Sequence, residues 1–214
     1  MNVKDYRADP CRASSLPFWK TEQVTVPEHI TILREDRFDA AQCGGSDEPY
    51  FRLIHRLEGI ERPALPESFR IVPCDTEGFA RHIRECYTEE CTTADELRIC
   101  ARRPVYDPDL WIAVADMING RIAASGIADA DTRIGEGILE WIQVSPDYRH
   151  RGLGKYIVRE LLYRMKGKAD FATVSGRVNN PDNPFALYRS CGFTDPVIWH
   201  IIRNDDKAKK DIEV

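Results

Sequence analysis

From Phe69 onward, apolar residues alternate between strand-length runs and stretches with helical spacing. Phe69-Arg70-Ile71-Val72 reads as a short strand. Asp75 or Thr76 caps a helix predicted to run to about Glu90, and Thr92 or Thr93 caps a second one through about Arg102. Asp107-Pro108-Asp109 ends that region. Leu110–Ala115 and Arg121–Ala128 are predicted strands joined through Ile118-Asn119-Gly120, where Asn-Gly marks a tight turn. Asp129 to Gly137 is polar and reads as a connection. The apolar run Ile138–Val144 is the next strand. Leu153, Ile157, Leu161 and Met165 then recur every four residues, on one side of a helix ending near Lys166. A strand over Ala169–Val178 and a short helix follow, the helix opened by Asn183-Pro184 and closed by Gly192. Val197–Arg203 is the last strand. The order β-α-α-β-β-β-α-β-α-β predicts a mixed α/β sheet, largely antiparallel early, with a βαβ crossover after Val144.

Residues 1–66 are patterned differently. Six prolines (10, 17, 27, 49, 63 and 66) break any long helix. Val24–Leu33 contains a short alternation with Ile30 and Ile32 on one side. Tyr50–Leu57 alternates Phe51, Leu53, His55 and Leu57 against Tyr50, Arg52, Ile54 and Arg56, which fits a strand or a helix. Gly44-Gly45-Ser46-Asp47 reads as a loop, and Phe18 and Trp19 are expected to dock on the rest of the protein. Three regions are expected: an N-terminal extension over 1–66 packing on the main domain, a domain over 67–203, and a charged tail over 204–214. The extension walls a substrate pocket or forms a dimer contact, and the sequence leaves both open.

Composition narrows the classes. A net charge of -5 argues against broad nucleic-acid binding. No apolar run approaches the roughly 20 residues that span a bilayer, and Met1–Lys20 lacks an apolar signal core. A cytoplasmic protein is expected. The seven cysteines are scattered without a C-x-x-C pair, so neither a disulfide framework nor a zinc module is expected. Cys86, Cys91 and His82 invite a metal reading, but thiols on a helix are the simpler one.

The chemistry concentrates in Arg149-His150-Arg151-Gly152-Leu153-Gly154, between the Ile138–Val144 strand and the following helix. Unpaired backbone N–H groups and the positive end of a helix dipole meet at such a turn, which suits a phosphate-bearing ligand. A Walker loop needs Gly-Lys-Ser/Thr, and here Gly154-Lys155 is followed by Tyr156, which cannot supply the Mg²⁺-binding hydroxyl. A dinucleotide fingerprint needs a third glycine where Ile157 stands, and it opens a fold rather than sitting late in one.

Arg149-x-x-Gly152-x-Gly154 resembles the R/Q-x-x-G-x-G/A signature of the GCN5-related N-acetyltransferase (GNAT) family. The lead-in Val144-Ser145-Pro146-Asp147-Tyr148 is similar to that family's, and Ala186-Leu187-Tyr188-Arg189-Ser190-Cys191-Gly192-Phe193 resembles its second hallmark. The resemblance covers about residues 67–203. It implies a GNAT-like α/β fold, a mixed and mostly antiparallel sheet flanked by helices, and acetyl-CoA as cosubstrate with no metal. It also implies attack by an amine, small-molecule or peptide, directly on the thioester. By this likeness the backbone of Arg149, His150, Arg151, Gly152, Leu153 and Gly154 cradles the CoA pyrophosphate. Ile142 and Val144 offer backbone contacts to the pantetheine arm, and the Val144 N–H polarises the thioester carbonyl. Tyr188 corresponds to the tyrosine that protonates the CoA sulfur; core packing is its plain structural reading.

The base is less defined. Glu140 is a carboxylate on an otherwise apolar strand, costly unless it faces a cleft or a partner, which makes it the first candidate and Glu136 the second. The family's CoA-contacting asparagine falls at Pro181; Asn183 is the nearest substitute, and capping the helix is its stronger role. For the acceptor, Glu85, Glu89, Glu90, Asp95 and Glu96 form an acidic stretch, and Tyr106, Trp111, Trp141 and Trp199 are aromatics suited to a cleft or a core. The alternative to an enzyme is a non-catalytic acyl-CoA-binding or regulatory module. A homodimer is compatible with either.

Overall fold

Strand Glu136–Val144 (β6) leads through helix Leu153–Met165 (α6) to strand Phe171–Arg177 (β7), in the predicted β-α-β order. The N–H groups of Asp170 and Phe171 donate to Gly135 O, so β7 sets out beside the start of β6. These and all other coordinates come from a computed structural model, which describes residues 1–87 and 91–204. Glu89, Glu90 and the tail beyond Asn204 lie outside the described residues.

The chain divides into two compact units. The second holds His55–Ala172 and Ser190–Gly192. It contains strands Phe69–Val72 (β3), Tyr106–Asp116 (β4) and Ile122–Asp131 (β5), which pair antiparallel with β6 in the order β6-β5-β4-β3. Helices Thr76–Cys86 (α4) and Ala94–Cys100 (α5) cover one face with Phe79, Ile83 and Leu97 against Ala113 and Ile127. Helix α6 covers the other. Its predicted stripe Leu153, Ile157, Leu161 and Met165 is fully buried, each side chain contributing roughly 1.5–3 kcal/mol relative to exposure. Two glycines let α6 sit close. A Cβ on Gly126 would lie 2.4 Å from Ile157, and one on Gly137 would lie 2.5 Å from the Met165 sulfur.

The first unit holds Met1–Ile54, Thr173–Arg189 and the described residues from Phe193. Its N-terminal part is three short helices, Val3–Ala8 (α1), Pro10–Ala13 (α2) and Phe18–Thr21 (α3). Tyr6, Phe18 and Trp19 are buried. Strand Ile30–Arg34 (β1) and strand Ser46–His55 (β2) flank strand Thr194–Arg203 (β8), both antiparallel. Val178 N donates to Pro49 O, which ties the end of β7 to the other side of β2. Helix Pro184–Ser190 (α7) packs Phe185 and Tyr188 near Phe51.

Several boundaries differ from the pattern-based expectation. β4 starts at Tyr106, ahead of the predicted Leu110, because its first residues form an irregular stretch before the register resumes at Trp111. Asp129–Gly137 is mostly strand, with a tight connection closed by Gly135 at φ 70°. Asp129, Asp131 and Glu136 are buried there, so polarity misrepresented their position. Asp131 accepts from Arg133 Nε on one oxygen and from Nη2 on the other. Tyr50–Leu57 resolves as a strand, and it begins at Ser46, within the expected loop. Its ambiguity has a physical cause. Phe51 to His55 are all buried, so both faces carry apolar residues. Arg52 fits that interior by donating to Tyr6 Oη at 2.7 Å and to Thr173 Oγ1 and Ser15 O, each at 3.3 Å.

Candidate functional site

The turn after β6 is built by local hydrogen bonds. Ser145 N donates to Ala123 O, closing the β5–β6 pairing. Pro146–Tyr148 then makes one 3₁₀ turn, with Tyr148 N and Arg149 N donating to Ser145 O and Pro146 O. The buried Tyr148 anchors it. Its hydroxyl donates to Asp116 Oδ2 at 3.0 Å and accepts from Asn119 Nδ2 at 2.9 Å, while its ring meets Phe69 edge-on. The Arg151 guanidinium lies 5.2 Å from that ring and donates to Asp147 O.

Two residues of the turn are left-handed, His150 at φ 61° and Gly152 at φ 79°. Such alternation curls successive N–H groups into a concavity suited to an anion. A Cβ on Gly152 would meet nothing within 4 Å, so the approach to the turn is open. The first α6 hydrogen bond runs from Tyr156 N to Gly152 O, which leaves the N–H groups of Leu153, Gly154 and Lys155 without an acceptor inside the helix. His150, Arg151 and Gly152 are exposed, and Leu153 is buried in the core.

Strand β6 aims its backbone in a defined way. Gln143 opposes Ser125 and Val144 opposes Ala124. Because Ser145 N reaches β5, the alternation of an antiparallel ladder turns the polar groups of Ile142 and Val144 toward the edge away from β5. The carbonyl of Ile142 is met there by Tyr87 Oη, 2.8 Å away. The register slips by one residue between Ile127↔Trp141 and Ala128↔Leu139, which makes Glu140 the extra residue of a β-bulge. A bulge re-aims side chains beside it. Glu140 is half-buried, whereas Glu136, the second candidate base, is fully buried at the far end of β6.

Beneath the turn lies a buried polar chain that sequence reading did not assemble. His82 on α4 touches Ser125 Oγ through Nδ1 at 2.7 Å and Ser145 Oγ through Nε2 at 2.8 Å. Gln143 Nε2 donates to Ser125 Oγ, and Ser145 Oγ donates to Ile122 O at 3.0 Å. Burial, aided by the Arg81 charge, pushes the His82 imidazole down to about 4. Cys86 Sγ lies 3.6 Å from Nε2. Among the described residues no three His, Cys, Asp or Glu side chains gather as a metal site. These residues carry no periodic signature. Only the Ser145 position, inside the lead-in to the turn, offered a signal.

Tyr188 and Asn183 belong to the first unit. Tyr188 is buried on α7, its ring 5.7 Å from Phe193 and 6.2 Å from Phe51. Asn183, at φ 47°, caps α7 by accepting from Ala186 N at 3.2 Å. Of the acidic stretch, Glu85, Asp95 and Glu96 are exposed; Asp95 pairs with Arg98, and Glu96 completes a capping box with Thr93. In the second unit Trp111 packs edge-on against Phe79 and Tyr106, and Trp141 against Tyr87. In the first unit Trp199 donates to Cys11 O and lines a hollow of about 200 Å³ with Arg12, Arg34 and Arg37.

Residues 107–195 match the family model described as an acetyltransferase (GNAT) domain. A GCN5-related N-acetyltransferase from Sphaerobacter thermophilus superposes with a TM-score of 0.67 at 18% identity, over 82% of this chain and 59% of that one. A GNAT acetyltransferase from Colwellia psychrerythraea gives 0.57 at 10% identity, over 80% and 64%. A putative GNAT acetyltransferase from Novosphingobium aromaticivorans gives 0.51 at 16%, over 84% and 70%. This chain thus spans less than two thirds of the first two, and at such identities the likeness is one of fold. No curated protein matches the sequence. The fold is that of the GNAT acetyltransferases, mixed α/β with mostly antiparallel strands and flanking helices, and residues 107–195 match the model of that acetyltransferase domain.

Proposed function

We propose that this protein is an N-acyltransferase that moves an acetyl group from acetyl-CoA to a primary amine. The observation that carries this reading is the turn over residues 145–154. It joins an anion-suited concavity to a strand end whose Val144 backbone faces away from β5. The fit to a pyrophosphate is favourable: the backbone approach at Gly152 is open, and Arg151 and His150 are exposed beside it. When bound, acetyl-CoA supplies a thioester activated for acyl transfer.

The chain's own residues have separable tasks in this reading. The N–H groups from His150 to Gly154 hold the pyrophosphate at the positive end of α6, while that of Arg149 already closes the 3₁₀ turn. Ile142 and Val144 orient the pantetheine arm, and the Val144 N–H donates to the thioester oxygen as charge develops there. Glu140, re-aimed by the bulge, accepts the proton of the attacking amine, directly or through water. The Tyr188 hydroxyl donates a proton to the departing sulfur. A cytoplasmic setting fits a chain with no disulfide among its described residues. No helix among the described residues is long and apolar enough to cross a membrane.

The burial of the Tyr188 ring between Phe51 and Phe193 favours a second reading, an acyl-CoA-binding module without turnover. Tyr188→Phe separates the two. Thiol release with a panel of primary amines should fall by about 10- to 100-fold while the acetyl-CoA-induced rise in melting temperature persists. An unchanged rate removes Tyr188 from the chemistry. A melting rise without thiol release from any amine favours the module.

A further inference from the structure

The hydrogen-bond chain under the turn has a direction. The single hydroxyl proton of Ser145 is committed to Ile122 O, so its oxygen must accept from His82 Nε2–H. Nδ1 then accepts from the Ser125 hydroxyl, which in turn accepts from Gln143 Nε2. A neutral imidazole with its proton on Nε2 therefore satisfies both serine contacts. Five residues on, at the C-cap of α4, Tyr87 donates to Ile142 O. One helix therefore grips β6 two residues before Val144 and the turn one residue after it. Between those grips the Val144 backbone faces away from β5, and no hydrogen bond to that strand holds it.

We propose that His82 and Tyr87 are positioning residues that clamp the backbone on both sides of Val144 and so fix the direction of its N–H. The inference rests on the N-acyltransferase reading, in which that N–H meets the thioester oxygen. A tilt of this group weakens a donor that matters most as charge develops, so the loss falls on kcat rather than on KM.

The test uses the full chain, acetyl-CoA and the best amine from a panel, with the Val144 amide followed by NMR. His82→Leu and Tyr87→Phe should each lower kcat about tenfold, a fraction of the loss on deleting an oxyanion donor, with KM for acetyl-CoA within about threefold. The acetyl-CoA-induced shift of the Val144 amide should shrink in both. His82→Gln keeps one donor and one acceptor and should restore most of kcat. If His82→Leu does not fold, Tyr87→Phe and Ser145→Ala decide. Retained kcat and an unaltered Val144 response in Tyr87→Phe overturn the clamp while leaving the enzyme reading intact. So does a loss in His82→Gln as deep as in His82→Leu. If acetyl-CoA fails to raise the melting temperature of the wild-type protein, the enzyme reading itself falls and the clamp falls with it.

Discussion

His82 in the second unit and His200 in the first are both buried, and each holds its surroundings through both ring nitrogens. Their settings are opposite. His82 is held by the hydroxyls of Ser125 and Ser145 and stays neutral. His200 lies between Asp47 and Glu35, 2.8 Å from each, with the Phe38 ring stacked at 3.6 Å. Burial works against its charge, but the two carboxylates, by hydrogen bond and by charge, raise its pKa above the ordinary histidine value. The same side chain thus serves as a neutral connector in one unit and, in the other, as one whose charged form its partners favour. The neighbours decide, because an interior of hydroxyls repays no desolvated charge whereas paired carboxylates do.

The largest expected effect comes from breaking the neutral connector. His82→Leu takes a partner from each of two buried hydroxyls, at about 1–3 kcal/mol for each that fails to re-pair. Chemical denaturation at neutral pH should read a total of roughly 2–4 kcal/mol. The comparison sharpens with pH. Unfolded histidine takes a proton near 6.5, whereas folded His82 does so only near 4. Between those values the unfolded state binds more protons, so stability declines as pH falls, by up to about 3 kcal/mol. Denaturation midpoints from pH 7 to 4 should show this limb, and His82→Gln should flatten it.

His200 has the reverse sign. Its folded pKa is raised, so its contribution is complete below about pH 6.5 and is lost as pH rises through the folded value. His200→Gln should cost about 1 kcal/mol or less at pH 6, since Glu35 is largely exposed. The cost should shrink at alkaline pH and in high salt, which screens an exposed partner. An acid limb that persists in His82→Gln, or a His200 effect indifferent to pH, would break the contrast. The smallest effect is expected at Gly152→Ala. A side chain there meets no atom, so only the left-handed backbone resists it, at about 1 kcal/mol. Any larger loss of acetyl-CoA binding in that variant would then report obstruction of the anion turn rather than unfolding.

Legibility in the sequence followed periodicity. The α6 stripe, the Asn-Gly connection and the turn itself were readable, and the Asp75 and Thr93 caps were each one of two neighbours the sequence offered, because each depends on residues near one another in the chain. Asp129–Gly137 differs from its expected loop, since a strand that buries carboxylates, one of them paired with Arg133, looks like a loop when only polarity is counted. The Ser46–His55 strand was half-readable. Burial on both faces erased the alternation that separates strand from helix.

Local sequence determined which segments are helix or strand over most of residues 69–203, and where a glycine-containing turn opens a helix after β6. Short-range hydrogen bonding and the helical or strand period suffice for that. Tertiary structure alone decided that His82, Ser125, Gln143 and Ser145 form one connected chain, that Glu140 occupies a bulge, and that β2 lies between β8 and β7. Those outcomes depend on partners tens of residues away. A polar side chain's role follows from which distant donor or acceptor the packing brings within 3 Å, and spacing along the chain does not encode that.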